Sequence, residues 1–296
     1  MTSAVVLLNR DGGAVRADPQ IAAKVGQALA AAGLAAEIEL VAGGECAIRC
    51  KAVAERGDPL LIVGGGDGTI GAAASALVGS GTKLGILPLG TLNHFARDLG
   101  LSANVAEAAA IIAAGHERCV DVAEMNGQIF INNSAIGLYP LMVVDRDLQR
   151  KRLGRSKRLA MVVATVRTLA RFGHQRLILT VNDERERVDT PLLFVGNNAY
   201  RIDIGAPGRR ESLEDGELCV MVMRKKTRRG FIAATVRSLF NRTRPDDMER
   251  IGHVERLRVS SRRSQLTVSL DGEVVSAAPP LDYKIRKRAL RVIVPA

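Results

Sequence analysis

The 296-residue sequence has no tryptophan, three tyrosines, six phenylalanines, four cysteines and four histidines. So little aromatic surface leaves few platforms on which single-stranded bases could stack, which argues against a nucleic-acid partner. The cysteines form no C-x-x-C pair and the histidines form no H-E-x-x-H motif. A transition-metal site is therefore not expected, and the thiols are expected to be reduced and buried.

Long apolar runs are also missing. Charged residues interrupt every apolar stretch well before the roughly 18 residues that a membrane-spanning helix needs. Residues 1–9 contain a short apolar run with no basic region before it, which is typical of a first strand rather than a signal peptide. The sequence therefore predicts a cytoplasmic protein. Its 47% apolar and 25% charged residues are typical of a globular fold.

Charge is distributed unevenly along the chain. Residues 1–120 contain 9 Lys or Arg against 11 Asp or Glu, whereas residues 121–296 contain 33 against 20. The second part therefore accounts for the whole net charge of +11. A basic field favours an anionic partner. Because the aromatic content argues against nucleic acid, we expect an acidic membrane surface.

Hydrophobic periodicity predicts two domains of different architecture. Up to about residue 120, apolar strands alternate with helical patterns, which indicates a three-layer α/β domain with a parallel sheet. Later strands have period two and are separated by turn signals, which indicates a mostly antiparallel β domain. The predicted strands cover residues 5–8, 37–41, 60–63, 84–87, 129–132, 176–181, 192–195, 218–223, 257–260, 265–270 and 289–294. The predicted helices cover residues 18–33, 47–56, 70–78 and 105–114.

A glycine loop, predicted over residues 64–68, follows the third strand in the sequence Gly64-Gly65-Gly66-Asp67-Gly68-Thr69. Glycines let the backbone approach a phosphate, and the N-terminus of the following helix attracts anionic oxygens. A carboxylate beside phosphates is repelled unless it serves a cation, so Asp67 favours a Mg²⁺ site. A Rossmann dinucleotide site is less consistent, because no Asp or Glu lies between Gly68 and Arg97. A plain tight turn is the other alternative.

A second motif, Pro88-Leu89-Gly90-Thr91-Leu92-Asn93-His94-Phe95-Ala96, follows the fourth strand. Alone it is compatible with a Pro-Gly turn and a helix cap. Together, G-G-D-G-T and P-L-G-T-x-N-x-F-A resemble the catalytic domain of the diacylglycerol kinase family, which includes sphingosine and ceramide kinases. The resemblance continues through residues 120–137. It also covers residues 212–218, similar to the family's L-x-x-D-G-x-L segment, and residues 270–273, which match its D-G-E.

This resemblance implies an ATP-dependent lipid kinase that uses Mg²⁺. It implies an NAD kinase-like or diacylglycerol kinase-like nucleotide domain at residues 1–125 and a β-sandwich lipid domain at residues 126–288. Residues 289–296 would form a strand that returns to the first domain. A homodimer is compatible with the sequence, which does not identify the lipid: diacylglycerol, a sphingoid base and ceramide are all compatible.

The resemblance also implies roles for individual residues. Glu273 would take the proton of the lipid hydroxyl. Asp67 would bind Mg²⁺ or its water, and Asp121 would be linked to Asp67 through a water molecule. For Glu273 the alternative is an ordinary Asp-Gly hairpin, and for Asp121 it is a solvated acid at a strand end. The expected nucleotide contacts are Asn9, Gly65, Gly66, Asp67, Gly68, Thr69, Thr91 and Asn93. A structural Mg²⁺ is expected at Ser212, Asp215 and Glu217.

Two departures from the family pattern keep other functions open. The usual N-P-x-x-G-x-G loop appears only as Asn9-Arg10-Asp11-Gly12-Gly13, and His94 stands where many members have Asp. One alternative is an NAD kinase-like phosphotransferase, against which P-L-G-T-x-N-x-F-A and D-G-E argue. The other is a catalytically silent nucleotide- or lipid-binding regulator, against which the retained Asp67 and Glu273 argue.

Two basic segments, residues 150–158 and 224–229, each lead into apolar residues at helical spacing. A basic face beside an apolar face can lie in anionic headgroups, where each Lys or Arg contributes about 1 kcal/mol. We therefore expect peripheral association with the inner face of the membrane. The alternative is an apolar stripe that packs on the core beside solvated cations. The candidate residues are Arg152, Arg155, Lys157, Arg158, Lys225, Lys226, Arg228 and Arg229.

Overall fold

The computed structural model describes residues 4–137, 173–203, 206–210, 212–224, 227, 230, 237 and 247–296. Contacts divide the chain into two units: unit 1 comprises residues 1–122, 212–214 and 286–296, and unit 2 comprises residues 123–211 and 215–285. The first division falls three residues before the predicted boundary, and the strand predicted at residues 289–294 belongs to unit 1. The predicted membrane-contact residues Arg152, Arg155, Lys157, Arg158, Lys225, Lys226, Arg228 and Arg229 lie outside the described residues.

The described residues form the following elements. The helices are α1 (Gly13–Ala17), α2 (Ile21–Ala31), α3 (Cys46–Glu55), α4 (Asp67–Leu77), α5 (His94–Asp98) and α6 (Val105–Ala114), with a 3-10 turn at Gly43–Glu45. The strands up to residue 197 are β1 (Ala4–Asn9), β2 (Ala36–Val41), β3 (Leu60–Gly65), β4 (Lys83–Pro88), β5 (Glu117–Met125), β6 (Gln128–Phe130), β7 (Asn133–Gly137), β8 (Gln175–Val181), β9 (Glu184–Thr190) and β10 (Leu192–Asn197). The later strands are β11 (Tyr200–Asp203), β12 (Ala206–Arg210), β13 (Leu218–Val222), β14 (Glu249–Val254), β15 (Arg256–Ser261), β16 (Leu266–Leu270), β17 (Glu273–Ala277) and β18 (Leu281–Ile293).

Unit 1 contains the predicted parallel sheet. Its strands follow the order β2-β1-β3-β4 with every pair parallel, and the last part of β18 lies beside β4, with Val292 opposite Leu84. The middle residues of β1, β3 and β4 are fully buried apolar side chains, as expected for parallel strands covered on both faces. Helix α2 packs Ile21, Val25 and Leu29 into this core.

The helix predicted over residues 18–33 is shorter in the structure. Asp18 Oδ1 accepts the N–H of Gln20 at 3.0 Å, which forms a turn around Pro19. Helix α2 therefore begins only at Ile21 and ends at Ala31. The other predicted helices match α3, α4 and α6 within three residues.

Unit 2 is built from antiparallel strands, as predicted. One sheet follows the order β14-β13-β10-β7-β16-β17, and every pair in it is antiparallel. Strand β8 pairs with β9 and β15, β15 pairs with the first part of β18, and β5 pairs with β6. Side chains that alternate along these strands form one apolar core around Phe130, Leu193 and Tyr283.

The predicted strand at residues 129–132 is wrong in extent. Strand β6 ends at Phe130 and β7 begins at Asn133, so residues 131–132 form the connection between them. Strands β9 and β14 were not expected, because their exposed faces are polar and few apolar residues mark their inner faces. Strand β17 is the second arm of the Asp-Gly hairpin. None of the helices in the described part of the chain is long and apolar enough to span a bilayer.

Candidate functional site

The expected nucleotide-binding residues lie at one edge of the parallel sheet of unit 1. Asn9 ends β1, Gly65 ends β3, and the loop that carries Thr91 and Asn93 follows β4. Because the strands are parallel, their carboxyl ends meet at the same edge, which is where open α/β sheets bind their ligands. The structure therefore brings residues from three separate sequence segments together.

Strand β3 passes almost directly into α4. Gly64 and Gly65 belong to the strand and Asp67 is already helical, so the five-residue loop predicted at residues 64–68 is reduced to Gly66. The first N–H groups of a helix have no partner within the helix. The N–H groups of Asp67, Gly68 and Thr69 therefore point out of the N-terminal end of α4, where the helix dipole favours anionic oxygens.

Two glycines are required by close approaches, one between the two motifs and one within the first motif. A Cβ atom on Gly90 would lie 2.4 Å from Gly66 Cα, and one on Gly65 would lie 2.5 Å from Thr69 Cβ. Real side-chain carbons do not approach backbone atoms so closely. Gly90 therefore allows the loop after β4 to pack directly on Gly66, and Gly65 allows β3 to pass directly beside Thr69 of α4.

A hydrogen bond also joins the two motifs. Asp67 Oδ1 accepts the backbone N–H of Phe95 at 3.2 Å, and the fully buried Phe95 ring anchors α5. Asp67 is half-buried, and its other oxygen has no hydrogen-bond partner among the described residues. Because Mg²⁺ prefers hard carboxylate oxygens and usually retains several waters, a half-buried carboxylate of this kind fits the cation.

The side chain of Asn93 holds the loop that carries Thr91. Asn93 has a left-handed backbone, with φ 49° and ψ 48°. Its Oδ1 accepts the N–H of Gly90 at 2.9 Å, and its Nδ2 donates to the carbonyl oxygens of Gly90 and Pro88 at 3.0 and 3.2 Å. The Asn93 amide is therefore bonded to backbone groups of its own loop, whereas Thr91 remains exposed.

The short loop after β1 is closed by an aspartate that sequence reasoning missed. Asp11 accepts the N–H of Gly43 at 3.0 Å and contacts Arg16 at 2.9 Å. Both contacts lower the pKa of Asp11, and the hydrogen bond from Gly43 has the larger effect. Asn9 Nδ2 donates to Thr69 Oγ1 at 2.8 Å. The loop is therefore tied both to the turn before α3 and to α4.

Asp121 is buried rather than solvated, with 1% of its surface exposed. Its Oδ1 accepts the backbone N–H of Arg288 at 2.7 Å, and its own N–H donates to the carbonyl of Leu213 at 2.8 Å. Arg288 has a left-handed backbone with φ 50°. Asp121 therefore stabilises an irregular point of β18 within unit 1.

The D-G-E motif lies in unit 2. Asp271 and Gly272, with φ of 47° and 86°, form the two-residue turn between β16 and β17, and the exposed Glu273 is the first residue of β17. The Asp271 carboxylate accepts the N–H groups of Ile131, Asn132 and Asn133 at 2.8, 2.8 and 3.0 Å. Burial raises the pKa of Asp271 to about 6, although the three N–H donors and the Arg210 charge act to lower it.

The anchoring of Asp271 was not predicted. Its N–H partners lie 138 to 140 residues earlier in the chain, and the motif itself indicates only a turn. No local signal could have revealed these bonds.

The segment expected to hold a structural Mg²⁺ has its oxygens largely in use. Ser212 Oγ accepts the N–H of Glu214 at 3.0 Å, and the Glu217 carboxylate contacts Arg250 and His253 at 2.6 and 2.7 Å. Asp215 is exposed. Within the described ranges, no three His, Cys, Asp or Glu side chains form a metal-binding cluster. The side chains therefore do not form a site by themselves, and this Mg²⁺ stays a prediction.

Comparison with known proteins places these features in a family. Residues 3–125 match the diacylglycerol kinase catalytic domain, and residues 142–294 match the YegS C-terminal NAD kinase beta sandwich-like domain. A diacylglycerol kinase of Bacillus subtilis (strain 168) is 27% identical over 258 residues, which is 85% of this chain and 83% of that protein. An uncharacterized protein of Synechocystis is 28% identical over 249 residues, 81% of this chain, but the match spans only 55% of that relative's length.

Solved structures have the same architecture. A crystal structure of a candidate diacylglycerol kinase from Bacillus anthracis superposes with a TM-score of 0.77 at 25% identity, covering 99% of this chain and 97% of that chain. Yeast NADH kinase in complex with NADH superposes with a TM-score of 0.53 at 12% identity, covering 99% and 84%, and is similar in fold alone. The predicted fold class is therefore confirmed.

Proposed function

The chain belongs to the diacylglycerol kinase family, and on this basis we propose that it transfers the γ-phosphoryl group of ATP to a hydroxyl group of a lipid. The observation that carries the proposal is the hydrogen bond from Phe95 N–H to Asp67, which joins the two motifs expected to bind phosphate at one sheet edge. Phosphoryl transfer depends mainly on positioning and charge stabilisation, and such an edge provides both.

Unit 1 would hold the nucleotide. The N–H groups at the start of α4 and the hydroxyls of Thr69 and Thr91 are suited to phosphate oxygens. Asn9 orients Thr69 through their hydrogen bond. The second carboxylate oxygen of Asp67 would hold Mg²⁺ or one of its waters. Mg²⁺, when bound, neutralises charge on the transferred phosphoryl group.

Glu273 of unit 2 would act as the general base. Its carboxylate is exposed, so it can accept a hydrogen bond from a lipid hydroxyl and take the proton as the oxygen attacks phosphorus. The turn before it is fixed by the Asp271 carboxylate, so the position of Glu273 does not depend on a mobile loop. A fixed base lowers the entropic cost of reaching the transition state.

The test is transfer of labelled γ-phosphate from ATP with Mg²⁺ to diacylglycerol, a sphingoid base and ceramide in anionic mixed micelles. We expect one lipid class to be labelled and Glu273→Gln to reduce kcat by about 100-fold or more, the usual range for loss of a general base. Glu184→Gln is a matched control. Glu184 is also an exposed first residue of a strand after a two-residue left-handed turn, Asn182-Asp183.

The other outcomes identify the alternatives. Labelling of NAD in a parallel reaction would instead indicate an NAD kinase-like phosphotransferase. ATP binding without transfer to any acceptor would support a catalytically silent regulator. Equal activity of Glu273→Gln and the unmutated protein would remove Glu273 from the proposed mechanism.

We further propose that the protein binds anionic membranes peripherally through the basic segments at residues 150–158 and 224–229. The net charge of +13 on residues 121–296 supports this. Co-sedimentation with phosphatidylcholine vesicles should increase when phosphatidylglycerol is added and fall in high salt. Binding that does not respond to anionic lipid would contradict the proposal.

A further inference from the structure

We propose that Arg210 is a positioning residue: it holds residues 131–132, and these in turn hold the turn that carries Glu273. The inference rests on the proposed function, in which Glu273 is the base. Arg210, Asp271 and Glu273 all belong to unit 2. None of the sequence motifs includes Arg210.

The first step is the attachment of the turn to residues 131–133. The Asp271 carboxylate receives three consecutive backbone N–H groups, and the Asp271 N–H donates to the carbonyl of Asn133 at 2.8 Å. Consecutive N–H groups that converge on one carboxylate form an anion-binding cradle. The position of the turn is therefore set by the position of residues 131–133.

The second step is the attachment of residues 131–132 to Arg210. The Arg210 side chain is 7% exposed, and its guanidinium donates to the Ile131 carbonyl and, at 3.0 Å, to Asn132 Oδ1. Tyr200 assists, because its hydroxyl donates to the Asn132 carbonyl at 2.9 Å and its ring centroid lies 5.6 Å from Arg210 Cζ. Residues 131–132 therefore accept hydrogen bonds from Arg210 through their oxygen atoms. The N–H groups of residues 131–133 donate hydrogen bonds to Asp271.

A second turn of the same kind shows that a hairpin does not need this anchor. Asn182 and Asp183 form a two-residue left-handed turn between β8 and β9, and Asp183 is exposed. In the described part of the chain, Asp183 accepts no backbone N–H groups comparable to those held by Asp271. Burying Arg210 and partly burying Asp271 costs free energy, and the turn at Asn182 and Asp183 forms without that cost. A fixed position of Glu273 is the benefit that we infer.

The test combines kinetics with hydrogen exchange on the full chain. In Arg210→Gln, kcat for lipid phosphorylation should fall by about 10- to 100-fold, the size expected for a misplacement of about 1 Å, while the KM for ATP stays within about twofold. Arg210→Lys should recover part of kcat, because one ammonium can replace some of these bonds. Arg187→Gln, an exposed arginine on β9, is the matched control.

The decisive measurement is the same substitution in a Glu273→Gln background. If Arg210 acts through Glu273, Arg210→Gln should cause little further loss there. Backbone amides at residues 131–133 and 271–273 should exchange faster in Arg210→Gln, while those of β1 and β3 should not change. The Lys variant provides the same readouts if the Gln variant fails to fold.

Two results would overturn the inference: unchanged exchange at residues 271–273, or an undiminished loss of activity in the Glu273→Gln background. Absence of lipid phosphorylation by the unmutated protein would instead overturn the proposed function and the catalytic part of this inference. The exchange measurement would still decide whether Arg210 holds the turn.

Discussion

Asn9 Nδ2 donates a 2.8 Å hydrogen bond to Thr69 Oγ1, so two residues expected to contact the nucleotide separately are bonded to each other. The bond links the end of β1 to the first turn of α4 across 60 residues of sequence. Asn9 Oδ1 also accepts the N–H of Asp11 at 2.9 Å. Asn9 therefore orients both the loop after β1 and the hydroxyl of Thr69.

Asn9→Ala should weaken ATP binding about fivefold and lower the free energy of unfolding by about 1 kcal/mol, the usual worth of one side-chain hydrogen bond. Calorimetric titration with ATP and urea unfolding measure the two effects. Thr69→Val should have a similar effect on ATP affinity. The double variant should lose less than the sum of the two, and full additivity would show that the bond does not couple them.

Gly90→Ala should lower the free energy of unfolding by about 1–3 kcal/mol, since the added methyl group overlaps Gly66 and forces the backbone to move. ATP binding should weaken as well, because the two motifs would separate. Gly81→Ala is the control, as a Cβ atom there meets nothing within 4 Å. Equal stability of the two variants in urea would contradict the close approach of the motifs.

Asp271 should give the folded protein a pH dependence between about pH 4 and 6. Burial raises its pKa from 3.8 to about 6, so in this interval the folded state binds a proton that the unfolded state has released. The contribution of Asp271 to stability is therefore fully present below pH 4 and is lost as the pH rises towards 6. Urea unfolding at several pH values measures this slope.

Asp271→Asn is the control for that slope, because an amide does not titrate. As the pH rises from 4 to 6, the free energy of unfolding of the unmutated protein should fall relative to that of Asp271→Asn. A difference that moves the other way would mean that the three N–H donors and Arg210 outweigh burial at this carboxylate.

Cys119 should be the first thiol to react with a water-soluble disulfide reagent under native conditions, because it alone among the four is partly exposed. Cys46 and Cys50 are fully buried on one face of α3, with Sγ atoms 3.9 Å apart, and burial raises the pKa of Cys219. Cys119→Ser should remove the fast phase. A fast phase of two or more thiols would contradict the burial of the other three cysteines.

The parallel sheet of unit 1 was predictable because its strands are short apolar runs between helical patterns, which leave few other arrangements. Strand β18 shows the limit of this reasoning. Only residues 289–294 were expected, yet the strand begins at Leu281. Residues 284–288 are mostly basic and exposed, so the pattern there indicates a solvated segment although the backbone is extended.

At the candidate site, sequence motifs identified the residues but not how they are held. Glycine spacing located Gly66 and Gly90, whereas the contact between them follows from the pairing of β3 with β4. Asp11 lies in the altered loop after β1 and Arg210 in no motif, and the roles of both depend on partners distant in sequence. Such contacts are set by tertiary packing, which local patterns do not encode.

The division of β18 between the two units has a consequence for biosynthesis. Residues 286–296 supply unit 1 with the Arg288 N–H for Asp121, the Ala289 carbonyl for Gly79 and the Val294 N–H for His116. The ribosome makes them more than 160 residues after Val122, which at 5–20 residues per second is a delay of roughly ten to thirty seconds. The part of the chain that emerges first is therefore the last to be completed, and during that interval β4 is paired with β3 but lacks β18 on its other side.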